Sequence, residues 1–150
     1  MAKIWTDQSK LELWLKIEVL ACESRHKILG EIPAEDLKTI QKKAGFSLER
    51  CLEIEKRTHH DVIAFLENVA EHVGSSSRFI HQGLTSSDLL DTTLASQMQR
   101  SADLILRDLG QLRKAAAKKA RKYKKTPMMG RSHGVHAEPI TFGLKMALMY

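Results

Sequence analysis

Apolar residues recur along this chain at helical spacing almost from its start. Leu11, Trp14, Leu15, Val19 and Cys22 step by three or four residues and predict the buried side of a helix. Asp7 is its expected cap, and Gly30 stops it near Leu29. Pro33 suits a first helical position, and a short helix from Ala34 to Ala44 is expected to end at Gly45. Ser47 can cap a third helix that turns Leu48, Cys51, Leu52 and Ile54 inward. Asp61 can cap a fourth, where Val62, Phe65, Leu66, Val69 and Val73 make an amphipathic stripe that Gly74 and Ser75-Ser76-Ser77 break. From Ser87 to about Tyr123 only Gly110 interrupts the pattern, which a long helix tolerates at a cost of ~1 kcal/mol. Leu90, Leu94, Met98, Ile105, Leu109 and Leu112 repeat along it. A pattern of that length exceeds an ordinary globular helix and implies a bundle partner. Thr126-Pro127 ends it, and Pro139 opens a last helix, Ile140 to Tyr150, that is cut off in mid-pattern. No strand alternation stands out. The expectation is an all-α chain that forms part of a longer polypeptide.

The polar positions gather in three places between these helices. The first is Thr58-His59-His60-Asp61. The second is His81 with Gly83-Leu84-Thr85-Ser86-Ser87-Asp88 at the mouth of the long helix. The third is Gly130-Arg131-Ser132-His133-Gly134-Val135-His136-Ala137-Glu138-Pro139 after its far end. Five of the seven histidines fall in these loops, and histidine is the natural proton carrier near neutral pH. Any one of them could equally be a cap or a solvated side chain. Ser-Ser-Asp at a helix start reads as an N-cap and also as an anion cradle of hydroxyls and N–H groups, and the two readings are compatible. Glycines around His133 permit backbone angles that expose it, and Arg131 could meet a ligand carboxylate or a structural partner. Metal binding is disfavoured, because the adjacent His59 and His60 point apart and His133-x-x-His136 lacks a HExxH arrangement. A serine hydrolase would need a GxSxG elbow on a strand, and none is present.

Composition narrows this picture without deciding it. The net charge of +6 suggests nucleic acid until its distribution is considered: the run Arg113–Lys125 holds eight basic residues, and the remainder of the chain carries −2. That is one solvated helix end, without the aromatic interleaving of nucleic-acid readers. No apolar run is long enough to span a bilayer, the N-terminus has no signal-peptide core, and Cys22 and Cys51 read as reduced core residues of a cytoplasmic protein.

Taken in order, Ile4-Trp5-Thr6-Asp7, Thr58-x-His60-Asp61-Val62, His81-x-Gly83-Leu84-Thr85-Ser86-Ser87-Asp88 and the segment Gly130 to Pro139 resemble the fumarase/aspartase superfamily, and within it the branch that cleaves adenylosuccinate. The resemblance runs over nearly the whole chain. It implies a small N-terminal helical domain over 1–84 and the start of a long-helix bundle domain over 85–150. It implies β-elimination of fumarate from adenylosuccinate, giving AMP, and from the succinylated aminoimidazole carboxamide ribotide (SAICAR) of purine synthesis, with no cofactor and no metal. By the same resemblance His133 is the general acid. His60, His81 and Asp61 contact substrate, Thr85 and Ser86 bind its succinyl part, and His136 is structural. It further implies a cytoplasmic homotetramer whose active sites are built from three subunits, with no nucleic-acid or membrane partner.

This chain departs from the family pattern in three respects. Only Met1-Ala2-Lys3 precede Ile4, where relatives carry a phosphate-gripping Arg-Tyr pair. His59 stands where relatives commonly have arginine, leaving its substrate contact to be made otherwise. The loop with the catalytic serine, and its lysine and glutamate partners, are expected after residue 150. The nearest rivals inside the superfamily are argininosuccinate lyase and the carboxymuconate cycloisomerases; outside it stand a non-catalytic helical scaffold and a metal hydrolase. Holding the acid half of a site without the base half, residues 1–150 alone are expected to release no fumarate from adenylosuccinate, which a coupled absorbance assay on the isolated chain would check.

Overall fold

The computed structural model describes all 150 residues. They divide into two compact units, Met1–Arg100 and Ser101–Tyr150, and the boundary falls inside one helix.

The first unit is entirely helical. A short 3-10 turn, Ala2–Trp5, leads into α1 (Asp7–Leu29), α2 (Ala34–Lys43), α3 (Leu48–Thr58) and α4 (Asp61–Val73), and a second 3-10 stretch, Gly74–Phe79, runs toward α5 (Ser86–Lys122). The helix ends follow local chemistry. Thr6, one residue before the expected Asp7, caps α1 by accepting from the Ser9 N–H at 3.2 Å. Gly30 terminates α1 at φ 67°, where a β-carbon would be strained. Ser47 caps α3 as expected. Asp61 does not cap α4. His60 does, its Nδ1 facing the Ile63 N–H at 3.4 Å, while Asp61 is the first helical residue and accepts from the Val62 N–H at 2.7 Å. Pro33 is likewise the cap of α2 and not its first residue, and Ala44 closes that helix just before Gly45.

Trp14 and Phe65, both fully buried, meet edge-on at the centre of the core with centroids 5.4 Å apart, and Phe46 approaches Phe65 at 5.9 Å. Ile32, Ile40, Val62, Val69 and Leu89 close around them. Leu52, expected inside, is half exposed. The buried Asn68 joins α4 to the start of α3: its Oδ1 accepts from the Ser47 N–H at 2.7 Å, and its Nδ2 donates to Glu71 at 2.9 Å. Cys22 and Cys51 are buried free thiols, and burial pushes Cys22 up to about 11 and Cys51 upward as well. The first turns of α5 return to the N-terminus, where Gln97 Nε2 donates to the Ile4 carbonyl at 2.7 Å.

In the second unit the segment expected as a polar loop forms an antiparallel hairpin, β1 (Pro127–Ser132) and β2 (Val135–Thr141), and the expected final helix is present in shortened form as α6 (Phe142–Ala147). Pro139 thus lies in a strand. It pairs with Met129 beside a bulge at Gly130, where a ladder hydrogen bond is already disrupted and proline is tolerated. A β-carbon on Gly130 would lie 2.6 Å from the Glu138 carbonyl oxygen, so the close strand approach requires glycine. The end of α5 anchors the start of α6. Tyr123 packs edge-on against Phe142 at 5.2 Å, and the Gly143 N–H donates to the Tyr123 carbonyl at 2.9 Å.

Leu90, Leu94, Met98, Ile105, Leu109 and Leu112 of α5 are each more than a third exposed. The stripe is present as a pattern and has no cover within the chain.

Across α3 and α4, Arg50 grips Glu71 with Nη2 2.6 Å from Oε1. Together with the Asn68 bond, the Arg50 guanidinium lowers the Glu71 carboxyl from its ordinary value of 4.5 to about 2. A depressed carboxylate stabilises the fold above its unfolded pKa, and that contribution is lost as pH falls toward the folded value. Acid titration followed by circular dichroism is expected to show a shallower loss of stability between about pH 4.5 and 2 for Glu71→Gln than for the wild type.

Candidate active site

Each of the three polar loops contains one histidine at positive φ: His59 at 50°, His81 at 63° and His133 at 51°. No other residue that is not glycine adopts this region. The left-handed conformation costs an L-residue ~1–2 kcal/mol, so its restriction to these loops marks them as a group.

In the first loop His59 closes α3, its N–H bonded to the Glu55 carbonyl at 2.8 Å. His60 and Asp61 come next, both half exposed, with His60 Nδ1 3.7 Å from Asp61 Oδ1. Thr58 Oγ1 donates to the His60 carbonyl at 3.2 Å and tightens the turn. Asp61 opens onto a cavity of about 200 Å³ shared with Asp7, Lys10 and Trp14 of α1.

The second loop is held from beneath by α1. Glu18, 1% exposed, takes both polar groups that His81 offers toward it: Oε2 accepts the backbone N–H at 2.9 Å, and Oε1 lies 2.6 Å from ring Nδ1. Arg25 Nη1 donates to the Gln82 carbonyl at 2.6 Å, and its other terminal nitrogen pairs with Glu31. A β-carbon on Gly83 would lie 2.7 Å from Arg25 Nη1, so glycine lets the loop close over the guanidinium. At the helix mouth Asp88 reaches back to Thr85, accepting its N–H at 2.8 Å and its hydroxyl at 3.0 Å. Those two bonds hold the Asp88 carboxyl below its usual range. The Asp88 carboxylate thus occupies both Thr85 donors and faces the positive end of the α5 dipole.

The third loop is the hairpin turn. His133 and Gly134 are its two central residues, both at positive φ, as a tight type I′ connection between twisted strands requires. Histidine occupies the place asparagine commonly takes. Arg131 and His136 are cross-strand partners, and Arg131 shares a shallow cavity with Lys145.

Within the first unit the first two loops rest on successive stretches of α1: Asp61 lines a cavity with Asp7, Lys10 and Trp14, and His81 is bonded to Glu18, one turn beyond Trp14. His133 belongs to the second unit. No three His, Cys, Asp or Glu side chains cluster in a metal-ligating arrangement. Glu18 and Arg25 are absent from the sequence-based site. Glu18 carried a readable signal, a charged residue four positions from both Trp14 and Cys22 on the apolar stripe of α1. Arg25 carried none.

The backbone aligns with a fumarate lyase from Mesorhizobium sp. BNC1 at a TM-score of 0.89 and 29% identity, over 98% of this chain and 35% of that one. The fold is that of the fumarase/aspartase-type lyases, helical with a small hairpin. The family model described as lyase matches residues 1–150, and the chain belongs to that family. It is 50% identical over all 150 residues to an adenylosuccinate lyase of Staphylococcus saprophyticus and 47% identical to that of Bacillus subtilis. It spans 35% of the length of either relative. No helix is long and apolar enough to cross a membrane.

Replacing His59 by glycine removes the strained β-carbon at the end of α3 and leaves the bond to Glu55 intact. His59→Gly is therefore expected to raise stability by ~1 kcal/mol, read as a higher urea midpoint at unchanged slope.

Proposed function

We propose that this chain is part of an enzyme that eliminates fumarate from adenylosuccinate, giving AMP, and from SAICAR, giving AICAR. The observation that carries the reading is 50% identity to an adenylosuccinate lyase over a span of all 150 residues. In such an elimination a base removes a proton from the succinyl carbon adjacent to the C–N bond. The electron pair left behind forms the C=C bond of fumarate as the C–N bond breaks, and an acid protonates the departing nitrogen. Groups already placed for each task contribute through geometry and proton transfer, without covalent attachment.

His133 is assigned the acid. A hairpin tip held at fixed positive φ gives its imidazole a defined place, and imidazole is suited to donate near neutral pH. Thr85 and Ser86 are assigned to the succinyl carboxylates at the mouth of α5, with the Thr85 N–H and hydroxyl exchanging Asp88 for substrate. His60, Asp61 and His81 are assigned to orienting substrate, with His59 beside them. None of the 150 residues is assigned the base.

The uncovered α5 stripe supports a further element of the reading: a homotetramer in which neighbouring copies supply the partner of that stripe and loops of one chain serve different sites. Buried, unpaired Cys22 and Cys51 fit a cytoplasmic enzyme.

The test is fumarate release from adenylosuccinate by the intact enzyme, with argininosuccinate as the competing substrate. His133→Ala is expected to lower kcat by about 10²–10⁴-fold with the oligomer preserved. Release from argininosuccinate alone would overturn the substrate, and undiminished turnover in the variant would overturn the acid.

A further inference from the structure

We propose that Glu18 is the positioning residue for His81, fixing its ring with a proton on Nδ1 so that Nε2 is the atom left to face substrate. Glu18 lies on the buried side of α1, where an unbonded carboxylate would cost several kcal/mol. Both of its oxygens are bonded to one residue: Oε2 takes the His81 backbone N–H at 2.9 Å, and Oε1 faces Nδ1 at 2.6 Å. A single side chain thereby holds the backbone at φ 63° and sets the plane of the imidazole. The same face of α1 repeats the device on either side of this contact. Cys22 Sγ reaches the Phe79 carbonyl at 3.6 Å, and Arg25 Nη1 reaches that of Gln82 at 2.6 Å. Residues 18, 22 and 25 form a rail on one side of a regular helix, so the loop's position is set by a rigid element. The His81 side chain retains 19% of its surface, and with Nδ1 engaged Nε2 is its only remaining polar atom.

The proton belongs on Nδ1 because imidazole is ordinarily a much stronger base than a carboxylate. A carboxylate accepting from Nδ1–H leaves Nε2 bare in the neutral ring, able to accept a proton or, once protonated, to donate one. Without this partner the ring could take either tautomer.

Glu18→Gln tests the assignment sharply. The His81 backbone N–H can only donate, so the single amide oxygen must turn toward it. The amide NH₂ then faces Nδ1 and requires it to be bare, moving the proton to Nε2. Nitrogen-15 magic-angle-spinning spectra of the intact, histidine-labelled protein at alkaline pH, with His81 assigned by loss of its signal in His81→Asn, read the tautomer directly. A proton on Nδ1 in the wild type and on Nε2 in Glu18→Gln is the expected result. A bare Nδ1 in the wild type overturns the proposal whether or not the variant folds, as does an unchanged tautomer in a folded variant.

The consequence for turnover rests on the lyase reading. If that reading holds, Glu18→Gln lowers kcat by roughly 10–100-fold, as outer-sphere partners of functional histidines do, with KM little changed, and undiminished turnover overturns the positioning role. A wild-type enzyme that releases no fumarate sinks the lyase reading and leaves the tautomer measurement to decide the inference by itself.

Discussion

A β-carbon at positive φ crowds the adjoining carbonyl, and a chain accepts that crowding only where the surroundings hold it in place. This chain accepts it at three non-glycine positions, and each is a histidine. The means of enforcement differ. His59 is held by the end of a helix, His81 by a buried glutamate, and His133 by the two-residue turn of a hairpin. In every case the strained residue is where the chain changes direction, so the requirements of folding and the placement of an imidazole are met by the same few atoms. The core of the first unit, centred on Trp14 and Phe65, makes these directions reproducible, because it fixes α1 and α4, on which two of the loops rest.

Much of this was legible in the chain. Helices α1 to α4 announced themselves because each buries one face and so repeats at 3.6 residues, and α5 did so through an apolar stripe that stays exposed. The hairpin was not legible, for a physical reason. β2 is exposed on both faces for most of its length, and β1 alternates in burial only as far as Arg131, too short a run of the two-residue alternation to read. His133-Gly134 did not signal its turn as Asn-Gly would have, and Pro139 reads as a helix opener unless the bulge opposite is known. Among the site residues, the polar loops stood out through their histidines. Of their supports, Asp88 was legible as part of a helix cap, whereas Arg25 looks like an ordinary surface charge until its partner in the fold is seen.

The two compact units meet within α5, and the helix serves each differently. Its first turns bury Leu89 and bond back to Ile4, while its last turn seats α6 through Tyr123 and Phe142. Between these ends the apolar stripe faces outward. The helix is thus locally satisfied at both ends and bare along its apolar repeat in the middle.

The two thiols carry a consequence of another kind. Burial keeps Cys22 and Cys51 in their neutral form at physiological pH, and the thiolate is the species that oxidants and disulfides attack. Their sulfur is therefore withdrawn from redox chemistry, and oxidative ageing falls on the thioethers. Met98 sits in the middle of the exposed stripe and Met129 on the hairpin, each open to solvent in the isolated chain. Sulfoxide formation at Met98 would place a polar, chiral group on a face otherwise made of leucine and isoleucine. Oxidant stress on the isolated chain thus falls on its exposed thioethers and spares its buried thiols.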